Sequence, residues 1–554
     1  MQTKIRHFIR DINQWSLFTM AIGLFIAIPV LAIIVYLFYG TGEMWQHITT
    51  YFLWDYLKNS LLLLVGTGIL TFLFGTSAAW IVCTYEFRFR RIIEWLLFLP
   101  LAIPSYIAAY AYVGLLGNGG SLMALLQSVG IPIQKIEMMN IWGLIWVLSC
   151  SLFPYVYSCA RAVFKSFPTN IRETSYLLGA SNRKYFFSVV LPMATPAIIG
   201  GLFLVFMEVL NDYGAAKYYG INTFTTGIFR TWTALEDLQS AVYLSALLVL
   251  MVFLINGLLI LWRGKRSFTL RLSQSSASQA KRKPLPLGKQ GLYLGIVAIP
   301  LVFGLILPIT QLIYWAYLTF ESMFTLQLFW IAAQSFGVAL IAAACVVVAA
   351  IAITYFSSWN HLKGIHLFKK VAVIGYVIPG AIIGIGIIRS SQTIIDFFAD
   401  TLYLKIGFLF YGSSVILIYA YVFRFLAVAF NPLEANSLKL GKYLSESSYL
   451  LGIGKLKTLL TVELPLLRNT LLSAFLLVFI DILKELPLTL ILKPYNLQTL
   501  AVKAYEYADD ERVSEAALPA LVLIGVISLL MIVLNFGDKQ LLPTKASDEK
   551  HVSH

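Results

Sequence analysis

The sequence has 554 residues, of which 59% are hydrophobic and only 12% are charged. A soluble domain carries about a quarter charged residues, so this composition excludes a water-soluble globular protein and indicates a chain embedded in a lipid bilayer. The formal net charge of +14 would fit a nucleic-acid partner, but the basic residues cluster in alternate loops between apolar segments. That distribution follows the positive-inside rule of membrane proteins, and no nucleic-acid partner is expected.

Apolar segments long enough to cross a bilayer as helices, about 20 residues each, occur twelve times. We therefore predict an all-α polytopic membrane protein built from two six-helix halves. The Lys- and Arg-rich loops predict that both termini lie on the cytoplasmic side of the membrane. The predicted spans are 17–39, 57–82, 95–116, 141–163, 193–213 and 240–262, followed by 292–318, 331–355, 371–389, 408–430, 467–490 and 517–536.

A polar segment separates the two sets of spans. It contains the run Ser-Gln-Ser-Ser-Ala-Ser-Gln-Ala and then Lys-Arg-Lys-Pro, a composition typical of a flexible linker. The predicted organisation is a first half (1–264), a cytoplasmic linker (265–290), a second half (291–538) and a cytoplasmic tail (539–554).

One short polar stretch occurs in both halves, between long apolar segments. We name its two copies the first elbow (170–192) and the second elbow (443–465). In each copy a Glu is followed 6 positions later by Gly, and that Gly 13 positions later by the Pro of a Leu-Pro pair. The residues are Glu173, Gly179, Leu191 and Pro192 in the first elbow, and Glu446, Gly452, Leu464 and Pro465 in the second.

Other segments repeat as well. Asn59-Ser60-Leu61 corresponds to Gln334-Ser335-Phe336, and Ile103-Pro104-Ser105 corresponds to Ile378-Pro379-Gly380, both at an offset of 275 positions. This indicates duplication of one six-span unit. Two copies with the same orientation are related by an axis along the membrane normal, with a solute path between them.

The elbow sequence predicts a short amphipathic helix, a turn at the Gly and a second amphipathic piece. Such a helix–turn–helix would lie on the cytoplasmic surface, and its apolar ridge would fit a groove on a partner protein. A loop helix packed on its own membrane domain is the alternative. The recurrence with identical spacing favours docking.

Four acidic residues lie within or at the ends of predicted spans. Charge in a span usually faces a cavity or a partner, and four carboxylates near a two-fold axis could hold a hard cation. Alternatively, they pair with Lys484 or Lys217, or they cap re-entrant backbone at an outer gate. No metal ligand set is certain from the sequence. The candidate residues for the path or outer gate are Glu208 and Asp212 in the first half and Asp481 and Glu485 in the second.

The elbow pattern resembles the EAA loop of type I ATP-binding-cassette importer permeases, although Thr174-Ser175 and Ser447-Ser448 replace the usual two alanines. The resemblance implies that each elbow couples to a cytoplasmic ATPase, present in two copies. Gly454-Lys455 is followed by Leu456 and lacks the upstream Gly of a nucleotide-binding loop. ATP and Mg would therefore bind to the partner, and this chain is expected to be neither an enzyme nor a cofactor carrier.

The segment from Asn211 to Trp232, the segment from Lys484 to Pro494 and the fused twelve-span layout are similar to ferric-iron permeases. This implies an external solute-binding protein, periplasmic or lipid-anchored, that docks chiefly on 214–239 and 491–512. Fused permeases for thiamine and phosphonates share the layout, so those substrates stay open. A twelve-span secondary transporter is the alternative from another class; it would lack paired coupling loops.

Overall fold

The computed structural model describes residues 14–117, 119–130, 137–167, 169–263, 282–285, 288, 290–359, 369, 374–399, 413–440 and 443–540. Nearly all of these residues lie in helices, as the composition predicts. The beginning of the predicted tenth span, most of the linker and most of the predicted tail lie outside the described residues.

The first half contains α1 (Gln14–Tyr36), α2 (Trp45–Tyr51), α3 (Leu53–Thr84), α4 (Arg90–Leu96), α5 (Ser105–Leu116), α6 (Ser121–Ser128), α7 (Ile141–Lys165), α8 (Thr169–Leu177), α9 (Asn182–Tyr185), α10 (Leu191–Asn211), α11 (Gly214–Tyr218), α12 (Phe224–Thr233) and α13 (Leu238–Arg263). The second half contains α14 (Gln290–Leu301), α15 (Leu307–Met323), α16 (Leu326–Ser358), α17 (Gly380–Ala399), α18 (Ser414–Leu440), α19 (Tyr443–Leu450), α20 (Lys455–Thr458), α21 (Leu464–Leu466), α22 (Arg468–Leu483), α23 (Pro487–Leu492), α24 (Leu500–Asp509) and α25 (Ala517–Gln540). Short 3₁₀ turns cover Leu37–Tyr39, Leu99–Ala102 and Ile374–Val377, and π-helical turns cover Phe186–Val190, Val302–Ile306 and Leu459–Glu463.

Within the described residues, ten helices are long and apolar enough to cross a membrane. An eleventh span is obtained if Lys455–Leu466 and Arg468–Leu483, which meet at 77°, count as one. The polytopic all-α prediction is confirmed, but a count of twelve is not. The predicted ninth span, 371–389, is missing from this set.

Among the interrupted predicted spans, the third and the ninth are each broken at a proline. The span predicted at 95–116 is divided into α4, a 3₁₀ turn and α5, which starts just after Pro104. In the ninth span a 3₁₀ turn ends at Val377, and α17 starts just after Pro379. Prediction of one continuous helix was wrong here because proline lacks an amide donor and disfavours helical backbone in the residue before it.

The first helix of each half packs against the other half. Tyr419 in α18 donates a hydrogen bond to the carbonyl of Phe25 in α1 at 2.5 Å. Tyr112 in α5 donates to the carbonyl of Phe303, which precedes α15, at 2.6 Å. These exchanged contacts join the two halves into one helical body.

A buried serine makes the same contact in both halves. Ser60 accepts a hydrogen bond from the amide of Phe224 at 3.2 Å, and Ser335 accepts one from the amide of Leu500 at 2.7 Å. Each contact ties a long membrane helix, α3 or α16, to the start of a short helix, α12 or α24. The sequence repeat is thus matched by a repeat of tertiary contacts.

The described part of the linker is bound to the first half. Residues Lys283–Pro284 (β2) pair in parallel with Tyr85–Glu86 (β1). The amide of Leu285 donates to the carbonyl of Glu86 at 3.3 Å, and the ring of Tyr85 stacks on Tyr293 at 5.1 Å. The chain between the halves is therefore fastened at this point rather than free along its whole length.

Candidate functional site

The two elbows have the same helix–turn–helix geometry. Gly179 and Gly452 end α8 and α19 with the same backbone φ of +76°, in the left-handed region that glycine adopts without a steric penalty. In each elbow the glycine amide bonds to the carbonyl three residues earlier, and the next amide bonds to the carbonyl five residues earlier. Both turns are Schellman motifs.

Each turn presents a pair of leucines to solvent. Leu177 and Leu178 are 88% and 82% exposed, and Leu450 and Leu451 are 89% and 80% exposed. Glu173 and Glu446 are also exposed, and neither forms an ion pair with another described residue. Contiguous exposed apolar side chains indicate an interaction surface, and here the same pair recurs in both halves.

The two helical pieces of each elbow are joined by hydrogen bonds within the elbow. In the first elbow, Tyr176 donates a hydrogen bond to the side chain of Asn182 at 2.6 Å. In the second, the buried hydroxyl of Ser448 bonds to Thr458 at 2.9 Å, and Ser445 donates to the carboxylate of Glu463. Polar contacts therefore hold the two pieces of each elbow together.

Each Leu-Pro pair connects its elbow to the following helix. The helices α10 and α21 begin at Leu191 and Leu464, with Pro192 and Pro465 in the first turn. A π-helical turn precedes each pair. Proline fits a first helical turn because it has no amide hydrogen to satisfy there. In both elbows the chain thus passes through this junction into the following helix.

A small cavity lies between the halves, at the end of α10 and α22 remote from the elbows. Its volume is about 80 Å³, enough for a few water molecules. Its wall includes all four acidic residues singled out in the sequence, together with two basic residues and four tyrosines. These are Glu208, Asp212, Asp481, Glu485, Arg424, Lys484, Tyr106, Tyr155, Tyr213 and Tyr376.

Asp212 and Glu485 occupy equivalent positions and cap equivalent helices. Asp212 accepts hydrogen bonds from the amides of Ala215 at 3.0 Å and Ala216 at 3.2 Å, in α11. Glu485 accepts one from the amide of Leu488 at 3.2 Å, in α23. Each carboxylate thus holds a short helix that folds back after a membrane span, as one of the sequence alternatives proposed.

The four acids differ in their other partners. Ser105 donates to Asp212, and Arg424 forms an ion pair with Glu485 at 3.2 Å. Lys484 forms an ion pair with Asp481 at 3.0 Å. The predicted alternative that Lys484 pairs with an acid is confirmed, whereas Lys217 pairs elsewhere.

Glu208 has the least engaged carboxylate of the four. Tyr155 donates to it at a long 3.3 Å, and the charge of Lys484 lies close enough to interact. Within the described part of the chain, no three His, Cys, Asp or Glu side chains are close enough together to ligate one metal ion.

Direct contacts close the cavity between the two halves. The side chain of Asn211 accepts a hydrogen bond from the amide of Gly380 at 2.8 Å. The hydroxyl of Tyr106 lies 3.4 Å from the carbonyl of Ala501, to which it donates. Lys217 in α11 forms an ion pair with Asp509 in α24 at 2.8 Å, with the Tyr505 ring 5.6 Å from its ammonium group. The interface between the halves is closed on this side.

Sequence reasoning missed several residues of this site, among them Arg424, Asn211 and Tyr155. Arg424 lies inside a predicted apolar span, and an arginine there is itself a signal of function. Asn211 directly precedes Asp212, but an amide side chain carries no comparable signal. Tyr155 is one of 30 tyrosines, and nothing local distinguishes it.

Comparison with known proteins shows which family this chain resembles. Residues 71–264 match the family described as binding-protein-dependent transport system inner membrane component. Over these residues the chain is similar to the members of this family. The match spans α3 from Thr71 through the first elbow to the end of α13, so it includes half of the cavity.

The chain is similar to several transport permeases. It is 26% identical over 474 residues to the Fe(3+)-transport system permease protein FbpB 2 of Haemophilus influenzae, covering 85% of this chain and 87% of that protein. It is 23% identical to the putative ferric transport system permease protein FbpB 1 of the same organism, covering 82% and 74%. The sulfate transport system permease protein CysT of Escherichia coli is 25% identical and covers 44% of this chain. The recognition of a fused two-half permease is thus confirmed.

Proposed function

We propose that this permease is the translocation subunit of an ATP-driven importer. The main support is the exposed leucine pair that recurs with the same backbone geometry in both elbows. Two copies of a cytoplasmic ATP-binding-cassette ATPase would each receive one elbow in a groove. ATP and Mg would be bound by those ATPases.

Transport would proceed by alternating access. Closure of the ATPase pair would draw the two elbows together, and the Leu-Pro junctions would pass that movement to α10 and α22. The contacts Asn211–Gly380 and Lys217–Asp509 would then separate on the outer side. The helices between the elbows and the outer contacts would then have two states, and ATP binding and solute delivery would each favour one of them. This is sufficient to couple ATP hydrolysis to transport.

The proposed cargo is ferric iron. The relatives named above include two ferric-iron permeases, and the cavity wall carries four carboxylates against two basic side chains, a formal charge of −2. Hard oxygen donors of this kind suit a hard cation. The same charge disfavours sulfate and phosphonates, which are anions. Thiamine is a cation, so charge does not exclude it, and a transport assay is needed to decide between thiamine and iron.

The cargo would be delivered by an external solute-binding protein, periplasmic or lipid-anchored. Its docking surface would be formed by the loops 214–239 and 491–512, which surround the Lys217–Asp509 contact. We propose a location in the bacterial inner membrane, with the elbows and both termini on the cytoplasmic side.

The test replaces the elbow leucines in the full chain. We expect Leu177→Asp with Leu178→Asp, and Leu450→Asp with Leu451→Asp, to abolish both ATPase co-purification and uptake of radioactive iron. Methionine at the same four positions is the matched control, because it keeps the apolar surface at nearly constant volume. Uptake that survives the aspartate variants, or that follows an ion gradient without ATP, would favour a secondary transporter.

Competition identifies the cargo in the same assay. Excess unlabelled ferric iron should suppress the uptake of radioactive iron, and thiamine, sulfate and phosphonate should not. Uptake of labelled thiamine in place of iron would keep the importer mechanism but replace the cargo.

A further inference from the structure

An apolar groove of about 520 Å³ lies between the two halves, at the elbow end of the helices. The first half contributes Trp95 and Phe98, around the break between α4 and α5, and the second half contributes Leu477 of α22 and Ile532 of α25. A volume of this size is in the range of specific ligand sites. Because it lies among membrane-spanning helices, hydrocarbon chains have direct access to it.

One charged residue lines this apolar groove. Arg161 donates through Nε to Glu94 at 2.8 Å, and its guanidinium lies 5.5 Å from the centre of the Phe98 ring. Arg90 binds the same carboxylate through Nη1 at 2.6 Å. Two guanidinium groups thus share Glu94, and Arg90 also pairs with Glu86 at 3.2 Å. The groove therefore ends at a charged cluster of two arginines and two carboxylates, and the net positive charge at this end comes from the exposed arginines beside it.

Two exposed arginines supply that charge at the surface. Arg88 and Arg91 are exposed at the start of α4, and Arg91 lies one helical turn before Trp95, on the same face of the helix. Tryptophan is enriched where a membrane protein meets the headgroup region. An anionic headgroup beside Arg91 would continue directly into an acyl chain in the groove.

We propose that this groove binds an anionic membrane phospholipid, with one acyl chain against Trp95, Phe98 and Leu477 and the phosphate between Arg91 and Arg161. Basic pockets between membrane helices on the cytoplasmic side are recognised by anionic lipid headgroups. The apolar lining alone would accept any lipid, and the arginines supply the selectivity. Since both halves form the wall, the bound lipid would fill the space between them.

The experiment titrates the full chain in mild detergent with dioleoyl phosphatidylglycerol or dioleoyl phosphatidylcholine and counts bound lipids by native mass spectrometry. We expect phosphatidylglycerol to bind at least tenfold more tightly than phosphatidylcholine. Arg88→Gln with Arg91→Gln should lower the phosphatidylglycerol affinity about tenfold or more, because each basic residue near a headgroup adds to the attraction. Both residues are exposed, so this variant keeps the fold.

Two further variants separate the groove from general surface charge. Arg183→Gln with Lys184→Gln removes two exposed charges of the first elbow and should leave lipid binding unchanged. Leu477→Trp fills the groove and should exclude the lipid.

Equal affinity for the two lipids would overturn the proposal. So would unchanged binding in the Arg88/Arg91 variant, or a protein segment occupying the groove of the purified complex. The readout is lipid binding, so its result is independent of whether the chain transports iron.

Discussion

The amide of Gly380 and the side-chain oxygen of Asn211 lie 2.8 Å apart, although 169 positions separate them in the sequence. This hydrogen bond joins the start of α17 in the second half to the end of α10 in the first. It also places both residues in the wall of the acidic cavity or beside it. The two halves are therefore joined by a hydrogen bond between a backbone amide and a side chain, beside the cavity whose wall contains the four carboxylates.

Gly380→Ala tests this contact. A Cβ atom at this position would lie 2.8 Å from Glu485 Oε1 and 2.9 Å from Arg424 Nη1, so one of two buried, paired groups must move. We expect a loss of stability of about 1–3 kcal/mol and at least a tenfold fall in uptake, measured as the melting temperature and the transport rate. Gly200→Ala in α10 is the control, because nothing lies within 4 Å of its added Cβ. Equal behaviour of the two variants would show that the second half is not tightly packed around Gly380.

Lys217 and Asp509 allow a charge-reversal test of the outer contact. Their ion pair is half-exposed, and such pairs contribute about 0.2–1 kcal/mol. Lys217→Glu should therefore raise ATP hydrolysis not coupled to uptake by a factor of about two to five, because the closed side opens more readily. The double variant Lys217→Glu with Asp509→Lys should restore coupling. Failure of the double variant to restore it would assign Lys217 to receptor binding instead.

Glu208→Gln is the cleanest test of an acid in the transport path. Asp212 and Glu485 hold helix starts, and Glu485 also balances the buried Arg424, so neutralising either would cost structure as well as function. Glu208 has only a long hydrogen bond from Tyr155. We expect the Gln variant to keep its melting temperature and its ATPase coupling while iron uptake falls about tenfold. Normal iron uptake would remove Glu208 from the path.

Asp237 supplies a pH-dependent prediction outside the membrane spans. Burial alone would raise its pKa, but hydrogen bonds from Ser240 and from the amide of Met44 outweigh it, and the pKa is lowered. A carboxylate with a depressed pKa stabilises the fold above its unfolded pKa of about 3.9, and this stability is lost as the pH falls through the folded value.

Asp237→Asn should accordingly destabilise the protein by about 1–2 kcal/mol at pH 7. The stability difference from the wild type should shrink as the pH falls below about 4. Thermal unfolding in detergent at each pH measures this difference. Glu236→Gln removes the same charge from the neighbouring residue and should have no such effect. A constant difference down to pH 3 would contradict the assigned role.

The sequence predicted the elbows well because their determinants are local. A Gly at a fixed distance from a Glu and a Leu-Pro pair sets both the turn and the start of the next helix, and the exposed leucines lie between these markers. The breaks before Ser105 and Gly380 were also visible as Pro104 and Pro379, but hydropathy averages over a window and hides a single missing amide donor.

The cavity could be predicted only in part. Its acids were recognisable because charge in an apolar span is costly. Of their partners, only Lys484 was named from the sequence. The neighbouring residues Asn211 and Lys217 bind residues of the other half, which the sequence did not indicate. Lys217 and Asp509 are 292 positions apart, and no pattern within one half specifies the register in which the halves meet.

The linker strand beside β1 breaks the two-fold symmetry of this protein. Lys283 lies 4.2 Å from the centre of the Tyr176 ring in the first elbow, whereas no described strand accompanies the second elbow. Two identical ATPase subunits would therefore contact unequal elbows, because the first elbow has an additional lysine and the linker strand beside it. The two ATPases would then bind the elbows in a preferred order. A defect in one ATPase would have different consequences depending on which elbow that ATPase contacts.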